Sequence, residues 1–543
     1  MYVTLKLLTS EAIESLSGVR LRVFGTAIGP ILKRYQAVFG LIAALTVFRL
    51  IYILFIPLTP QEAYYWYYSL HPDWSYFDHP PLAAWSIWIG TALFGKSVFG
   101  IKVMAVVWGA LTNVMIVGIV LQGSRGLTLS VRRKLALGAI GLFNLTVFAH
   151  LYSILMVPDS PLLFFWALSL FLVQRYLGNG HRGTFLLAGV ALGLALLSKY
   201  TAAALVPAVF WAILSDPVRR RDLGQFFPYL ALLLAAAVFA PVLYWNASHD
   251  WASFGFQFVR RSAKMKPPGL KYLGQLLISQ LFILTPFVMI LLAGAVRRVV
   301  SMRNRMPRGN FLLASAAVII LPFFGYSFFG LVKMNWLLPG YLGLLVLTCR
   351  LWAGEMGDGN WLRGRGMKVG LWSSVILIVL AHLILVIPDV PLGEGNTWSG
   401  WQRAARSVDL LLEAENAPEQ TFVFTNSYKA SSMLRFYLPH PREVYSGNIF
   451  GEPALQFDIW GIPDSLTGQN AIYVCDNRRE YKNKLPEVRK YFERVEVVKT
   501  LEFRFRDRFP TRTIWCYKCE NYRGVKSGQV SVPEATDRLI VDR

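Results

Sequence analysis

The sequence predicts a polytopic α-helical membrane protein of about eleven transmembrane helices, with a soluble α/β domain at its C-terminal end. Three observations carry this. Of the 543 residues, 55% are hydrophobic and only 16% charged, whereas a soluble domain carries about 25% charge. Apolar runs begin near residues 37, 101, 135, 161, 184, 200, 226, 273, 311, 336 and 369, most of them long enough to cross about 30 Å of hydrocarbon. After Pro388 the composition turns polar, with short β-rich runs. An ordinary cytosolic enzyme and a disordered chain are both excluded.

Charge then orders the elements. Lys and Arg number 55 against 32 Asp and Glu, a net +23. The bases form short clusters between apolar runs, as topology-setting loops do, so no nucleic-acid partner is expected. Residues 1–36 hold Lys6, Arg20, Arg22, Lys33 and Arg34 and lack the clean apolar core of a signal peptide. They are read as a cytoplasmic, partly amphipathic segment lying on membrane lipid. Residues 37–388 make the expected transmembrane catalytic domain with its outer loops. The run Pro81–Gly95 is ambiguous: as a span it places Arg125, Arg132, Arg133 and Lys134 outside. As a surface or re-entrant helix it places them inside, with Arg219–Arg221, the 297–308 cluster, Arg363, Arg365 and Lys368. The positive-inside rule favours the second reading, with eleven spans and everything after about residue 389 outside. Residues 389–543 are then an extracytoplasmic α/β domain, with strands at Thr421–Thr425, Ala471–Cys475 and Val495–Phe505 and a helix around Ala430–Tyr437.

Candidate chemistry gathers on the outer side. The first outer loop sets Glu62 beside Tyr64, Tyr65, Trp66, Tyr67 and Tyr68, with Asp78 and His79 further on. A carboxylate among aromatic faces suits a carbohydrate: rings pack on a sugar's apolar side while the acid binds hydroxyls or removes a proton. The plainer reading is an interfacial aromatic belt with Glu62 capping a helix. Asp159, in a very short second outer loop, is either an N-cap followed by Pro161 or a functional acid. Lys199 interrupts two apolar runs at an outer tip, where it either snorkels to water or presents an ammonium to a phosphate. Asn246 and His249 (Trp245 to Trp251) and Lys333 and Asn335 (Lys333 to Trp336) form further polar-aromatic clusters. Segment 246–272 carries Arg260, Arg261, Lys264, Lys266 and Lys271 against Asp250 alone. A cationic outer loop defies the topology rule, and the reason is either an anionic ligand or anionic lipid headgroups.

No Walker-type loop or dinucleotide fingerprint is present, so no nucleotide cofactor is expected. A sugar-transferring enzyme on that side must receive a donor activated on a carrier that crosses the bilayer; a polyprenyl phosphate sugar meets the need. Cys516 and Cys519 are expected to form a local disulfide, or one of them to pair with Cys475. Cys349 is read as an inert packing residue.

The chain resembles the bacterial family 39 glycosyltransferases of the GT-C class, related to protein O-mannosyltransferases and to the aminoarabinose transferase of lipid A. The residues that carry the likeness are Pro60–Trp66, Tyr76–Pro81, Pro158–Pro161, Leu196–Thr201, Trp245-Asn246, His249–Trp251, Asn335-Trp336, Ser432–Pro439 and Asp458–Trp460. The resemblance implies a GT-C-like fold and inverting transfer of a sugar from a polyprenyl phosphate donor, with site and C-terminal domain on the periplasmic side of a bacterial inner membrane. It implies an envelope acceptor, lipid A or other lipopolysaccharide first and a protein hydroxyl next. It makes Glu62 and Asp159 the catalytic acids and Lys199 a phosphate contact. Tyr64, Tyr65, Trp66, Asp78, His79, Asn246, His249, Arg260, Lys333 and Asn335 are the expected substrate-binding residues, Arg260 and Lys333 from the charge argument alone. Many members carry an Asp-Glu pair where this chain has Gln61-Glu62, and glutamine cannot act as a base at neutral pH. Some relatives bind a divalent metal; no ligand spacing here decides it. The alternative is a transporter or flippase of lipid-linked sugars, which tends to place ionisable groups at the bilayer midplane. An outer binding module on a membrane anchor is the third reading.

Overall fold

The computed structural model of the chain describes residues 22–23, 26–124, 126–259, 265–301, 307–352, 365–393, 396–477 and 483–525. Most of the N-terminal segment therefore lies outside the described residues. Its described part holds a short strand pair, Arg22–Val23 with Thr26–Ala27, and a helix, Ile28–Arg34.

Every expected apolar run is helical. In chain order these are α1 (Gln36–Tyr52), then after the first outer loop α4 (Val98–Gln122), α5 (Leu129–Asn144), α6 (Asp159–Asn179) and α7 (Arg182–Ser198). A 3₁₀ turn at Tyr200–Ala204 leads into α8 (Leu205–Ser215), followed by α9 (Phe227–Ser248), α10 (Leu270–Leu284) and α11 (Pro286–Ser301). α12 (Pro307–Tyr326), α13 (Leu338–Leu351) and α14 (Arg365–Val386) complete the membrane part. The first outer loop itself contains α2 (Pro60–Leu70) and α3 (Leu82–Phe94). Among the described residues four helices, α4, α6, α9 and α14, are each long and apolar enough to cross a bilayer alone. α10 and α11 meet at 103°, where Thr285 adopts φ 66° ahead of Pro286. At the break the Thr285 hydroxyl ties the corner to its neighbours, meeting the Leu145 carbonyl after α5 at 3.2 Å and the Ser374 hydroxyl of α14 at 2.8 Å. α3, the ambiguous run, has 13 residues, about 20 Å at helical rise and well short of the hydrocarbon thickness.

The outer domain holds α15 (Trp401–Glu413), α16 (Tyr428–Tyr437) and a five-stranded sheet. The strands are β1 (Thr421–Thr425), β2 (Val444–Tyr445), β3 (Asn470–Asp476), β4 (Phe492–Phe505) and β5 (Phe509–Tyr522), in the order β2-β1-β3-β5-β4. β2, β1 and β3 run parallel, with Val423 opposite both Val444 and Ile472. β5 and β4 add an antiparallel hairpin, with Val474 opposite Cys516. The expected disulfide is corrected here, because all four cysteines are free. Cys516 and Cys519 stand three apart on one strand, so their side chains point to opposite faces of the sheet. Cys516 enters the core toward the helices, and Cys519 and Cys475 enter the core on the other face.

The two parts share a core. Tyr64, Tyr65, Trp66, Tyr67 and Tyr68 of α2 are buried with Trp401, Val408, Met433, Phe436 and Ile472 of the outer domain. The Trp66 and Phe436 rings meet edge to face at 5.1 Å, and the Gln456 side chain accepts from the Phe77 amide at 2.7 Å. A helix with five consecutive aromatic residues is thus buried on nearly every side, and the outer domain is fixed to the first outer loop.

Candidate active site

Several segments and one domain edge enclose a cavity of about 640 Å³. Its wall takes Gln61 and Tyr65 from α2, Asp78 and His79 from the following loop, Asp159 from the start of α6, Lys199 and Tyr200 from the break after α7, Gln257, and Lys333 and Asn335 from the loop before α13. Thr397, Trp398, Tyr428 and Leu455 of the outer domain close it.

At its centre one Asp159 carboxylate oxygen accepts from the Lys199 ammonium at 2.8 Å and the other accepts from the Asn335 amide at 2.7 Å. Local sequence explains the placement. Pro158 and Pro161 start α6 sharply, so Asp159 sits in its first turn, where the helix dipole favours a negative charge. Lys199 is the residue at which α7 ends, in extended conformation. The capping reading of Asp159 fails, because Pro158 holds the N-cap position without a side-chain cap.

The second carboxylate, Asp78, accepts from the Tyr68 phenol and, at 3.4 Å, from Tyr64. The Gln257 amide donates to its backbone carbonyl at 2.6 Å. Burial pushes the Asp78 carboxyl above its ordinary 3.8, offset by the Tyr68 phenol and by the positive charge of Lys333. A raised value means the fold favours the neutral form, so this group's contribution to stability falls as pH rises through its folded value. Asp78→Asn removes that cost. Its melting temperature relative to the wild type should therefore climb as pH rises from the ordinary 3.8 through the raised folded value; a pH-independent difference would refute the assignment.

Glu62, the other expected acid, is placed differently. It is fully buried and does not face the cavity. One of its oxygens takes the Lys102 ammonium at 2.5 Å together with the Thr59 amide and hydroxyl at 3.1 and 2.9 Å, and the other takes the Met156 amide at 2.9 Å. What separates this carboxylate from Asp159 is position: Asp159 lines the cavity and Glu62 does not. Gln61 takes the cavity-facing position, its amide donating to the Tyr65 hydroxyl at 2.8 Å.

The other expected binding residues divide. Tyr65, Asp78, His79, Lys199, Lys333 and Asn335 line the cavity. Tyr64 and Trp66 do not: Tyr64 packs on Tyr428 and donates to Asp78, and Trp66 packs on Phe436 beneath Lys96. They form the core between loop and outer domain, because that domain covers the aromatic helix. Asn246 is buried, spanning the Val242 carbonyl and the Phe254 amide. His249 stacks on Trp245 at 4.1 Å, and the Trp245 indole donates to Asp73 at 2.7 Å. Both residues brace the loop from behind. Arg260 lies outside the described residues. Reasoning from sequence missed Lys102, hidden in an apolar run, and Tyr152, Gln257, Trp398 and Tyr428, which carry no local signal.

Among the described residues, three side chains able to hold a metal converge only at Asp409, Glu413 and His440 of the outer domain. The cavity's carboxylates are instead engaged by ammonium, amide and phenol donors, so no step below passes through a metal.

Comparison with known proteins narrows the class. Residues 78–245 match the family described as dolichyl-phosphate-mannose-protein mannosyltransferase. The lipid A galacturonosyltransferase RgtD of Rhizobium johnstonii is 23% identical over 461 residues, 80% of this chain and 89% of that protein. The undecaprenyl phosphate-alpha-4-amino-4-deoxy-L-arabinose arabinosyl transferase of Aeromonas hydrophila is 26% identical over 59% of this chain and 58% of its own. ArnT from Cupriavidus metallidurans, solved in the apo state, shares the fold: TM-score 0.57 at 15% identity, over 89% of this chain and 98% of that one. Its complex with undecaprenyl phosphate gives 0.55 at 15% identity, over 88% and 97%. The fold is therefore that of a polytopic helical membrane protein of the ArnT type, carrying a small C-terminal sheet domain. More narrowly, the chain is similar in sequence and fold to the family 39-like glycosyltransferases of the GT-C class, as its motifs led us to expect.

Proposed function

We propose that the chain is a multi-pass glycosyltransferase of the bacterial inner membrane, moving one sugar from a polyprenyl phosphate carrier to lipid A or another lipopolysaccharide on the periplasmic face. The observation that carries this reading is the convergence of Asp159, Lys199, Asn335, Asp78, His79 and Lys333 on one cavity beside apolar helices. The relatives' names support donor and acceptor, and the basic loops support the orientation. A protein hydroxyl is the next acceptor. The flippase alternative is disfavoured, because the ionisable groups gather at helix ends and loops rather than at the midplane.

In this mechanism the acceptor hydroxyl oxygen attacks the anomeric carbon from the face opposite the phosphate. The carbon–oxygen bond to phosphate breaks and its electron pair leaves with the polyprenyl phosphate. Asp159, oriented by Lys199 and Asn335, takes the hydroxyl proton. Lys199 and Lys333 stabilise the charge that develops on the departing phosphate. Tyr65, Asp78 and His79 hold the sugar. Arg260, read from the cationic loop, would draw in the anionic carrier.

The test is a reconstituted assay with synthetic undecaprenyl phosphate-linked uronic and amino sugars and lipid A, read by mass spectrometry. A gain of one sugar mass on lipid A is expected; no transfer from any such donor, to lipid A or to protein, overturns the proposal. Lys333→Ala should raise the donor KM by about tenfold or more, the cost of a lost charged contact, with little change for the acceptor. A change confined to the acceptor KM would remove Lys333 from the phosphate site.

A further inference from the structure

Helix α8 stands apart from its neighbours in sequence. α6 packs on α7 and α7 on α9, whereas α8 leans on α12. At Gly189 the contact of α7 with α9 is so close that a Cβ would lie 2.1 Å from the Ala231 carbonyl oxygen. Between α8 and the α6–α7–α9 group lies a second cavity of about 300 Å³, lined by Val173, Leu192, Val209, Ile213, Leu223 and their apolar neighbours. That volume is in the range of small-ligand sites. Phe210, Tyr229 and Leu232 on its wall are 54%, 55% and 48% exposed, so it opens sideways into hydrocarbon. Water finds almost no polar partner in such a space, and the surrounding bilayer offers acyl chains.

The mouth of the cavity lies at the helix ends remote from Asp159 and Lys199, and it is basic. Arg182 opens α7 with its guanidinium 5.3 Å from the Phe227 ring, and Arg219 lies 5.6 Å from the Tyr176 ring. Arg220 and Arg221 are exposed in the turn that ends at the cavity-lining Leu223. Asp216, which ends α8, and Asp222 within the turn are the acids there, and Asp222 is engaged by the Tyr176 phenol at 2.5 Å.

We propose that this cavity binds one acyl chain of an anionic phospholipid from the leaflet opposite the catalytic cavity, with its phosphate held by Arg182, Arg220 and Arg221. The chain fills the space that separates α8 from α7 and α9. The turn Tyr200–Ala204 joins α8 directly to Lys199, so a filled cavity also steadies the lysine that holds Asp159. Binding itself does not depend on the transferase reading.

Native mass spectrometry of the full chain released from nanodiscs of equimolar phosphatidylglycerol and phosphatidylcholine tests this. One retained phosphatidylglycerol is expected, favoured by about fivefold for each basic side chain engaged. Arg220→Gln with Arg221→Gln, at exposed positions that leave the fold intact, should cut the preference by about 25-fold, to the share that Arg182 supplies. Val209→Trp, which fills the cavity, should abolish retention. Equal retention of both lipids by the wild type, a preference undiminished in the double arginine variant, or displacement of phosphatidylglycerol by added polyprenyl phosphate would overturn the proposal.

Discussion

Asp159→Asn lowers turnover by about 10²–10⁴-fold, the loss expected when a positioned general base is removed. The substitution keeps size and shape, and the asparagine oxygen can still accept from Lys199, whose contact with Asp159 is 2.8 Å. Its amide has no proton-accepting capacity near neutral pH, so the loss falls on kcat while melting temperature and membrane insertion are retained. An acceptor analogue whose hydroxyl is acidic enough to be partly ionised in solution should recover part of the rate. Turnover by the purified Asp159→Asn variant equal to that of the wild type would remove Asp159 from the chemistry.

Lys102→Met produces the largest expected loss of stability, about 3–5 kcal/mol, because it strands the Glu62 carboxylate without its partner in a dry interior. Both side chains are fully buried, and among the described residues the ammonium is the one cation touching that carboxylate. Adding Glu62→Gln to Lys102→Met should restore part of the loss, since it removes the stranded charge: the amide oxygen can keep the Thr59 donors, while its NH2 cannot accept from the Met156 N–H. The restored double variant should retain substantial turnover, because neither residue faces the cavity. Thermal unfolding of the three variants in detergent decides the matter. Additive losses would show that the pair is not coupled, and a dead but fully stable Glu62→Gln would return Glu62 to the mechanism.

The helices were legible because each apolar run is long and bounded by turn residues and bases. The site was legible in part. Asp159, Lys199 and Asn335 stand out as polar residues at the ends of apolar segments, and they meet. Glu62 misleads by the same logic: its partner Lys102 lies on another helix, within an apolar run where one lysine carries no pattern. Tyr64 and Trp66 read as sugar platforms because the sequence contains nothing to say that Tyr428 and Phe436 will cover them. Local order reports which residues share a helix face, and not which distant element buries that face.

That shared core has a consequence for biogenesis. α2 is among the first segments a ribosome delivers to the far side, yet Trp401, Met433 and Phe436, which bury its rings, are among the last. Until the C-terminal residues have been translocated, the early aromatic helix has no covering surface and the reaction chamber has no roof. In the orientation we propose, half-made chains should therefore lack transfer activity and leave the aromatic helix open to quality-control proteases.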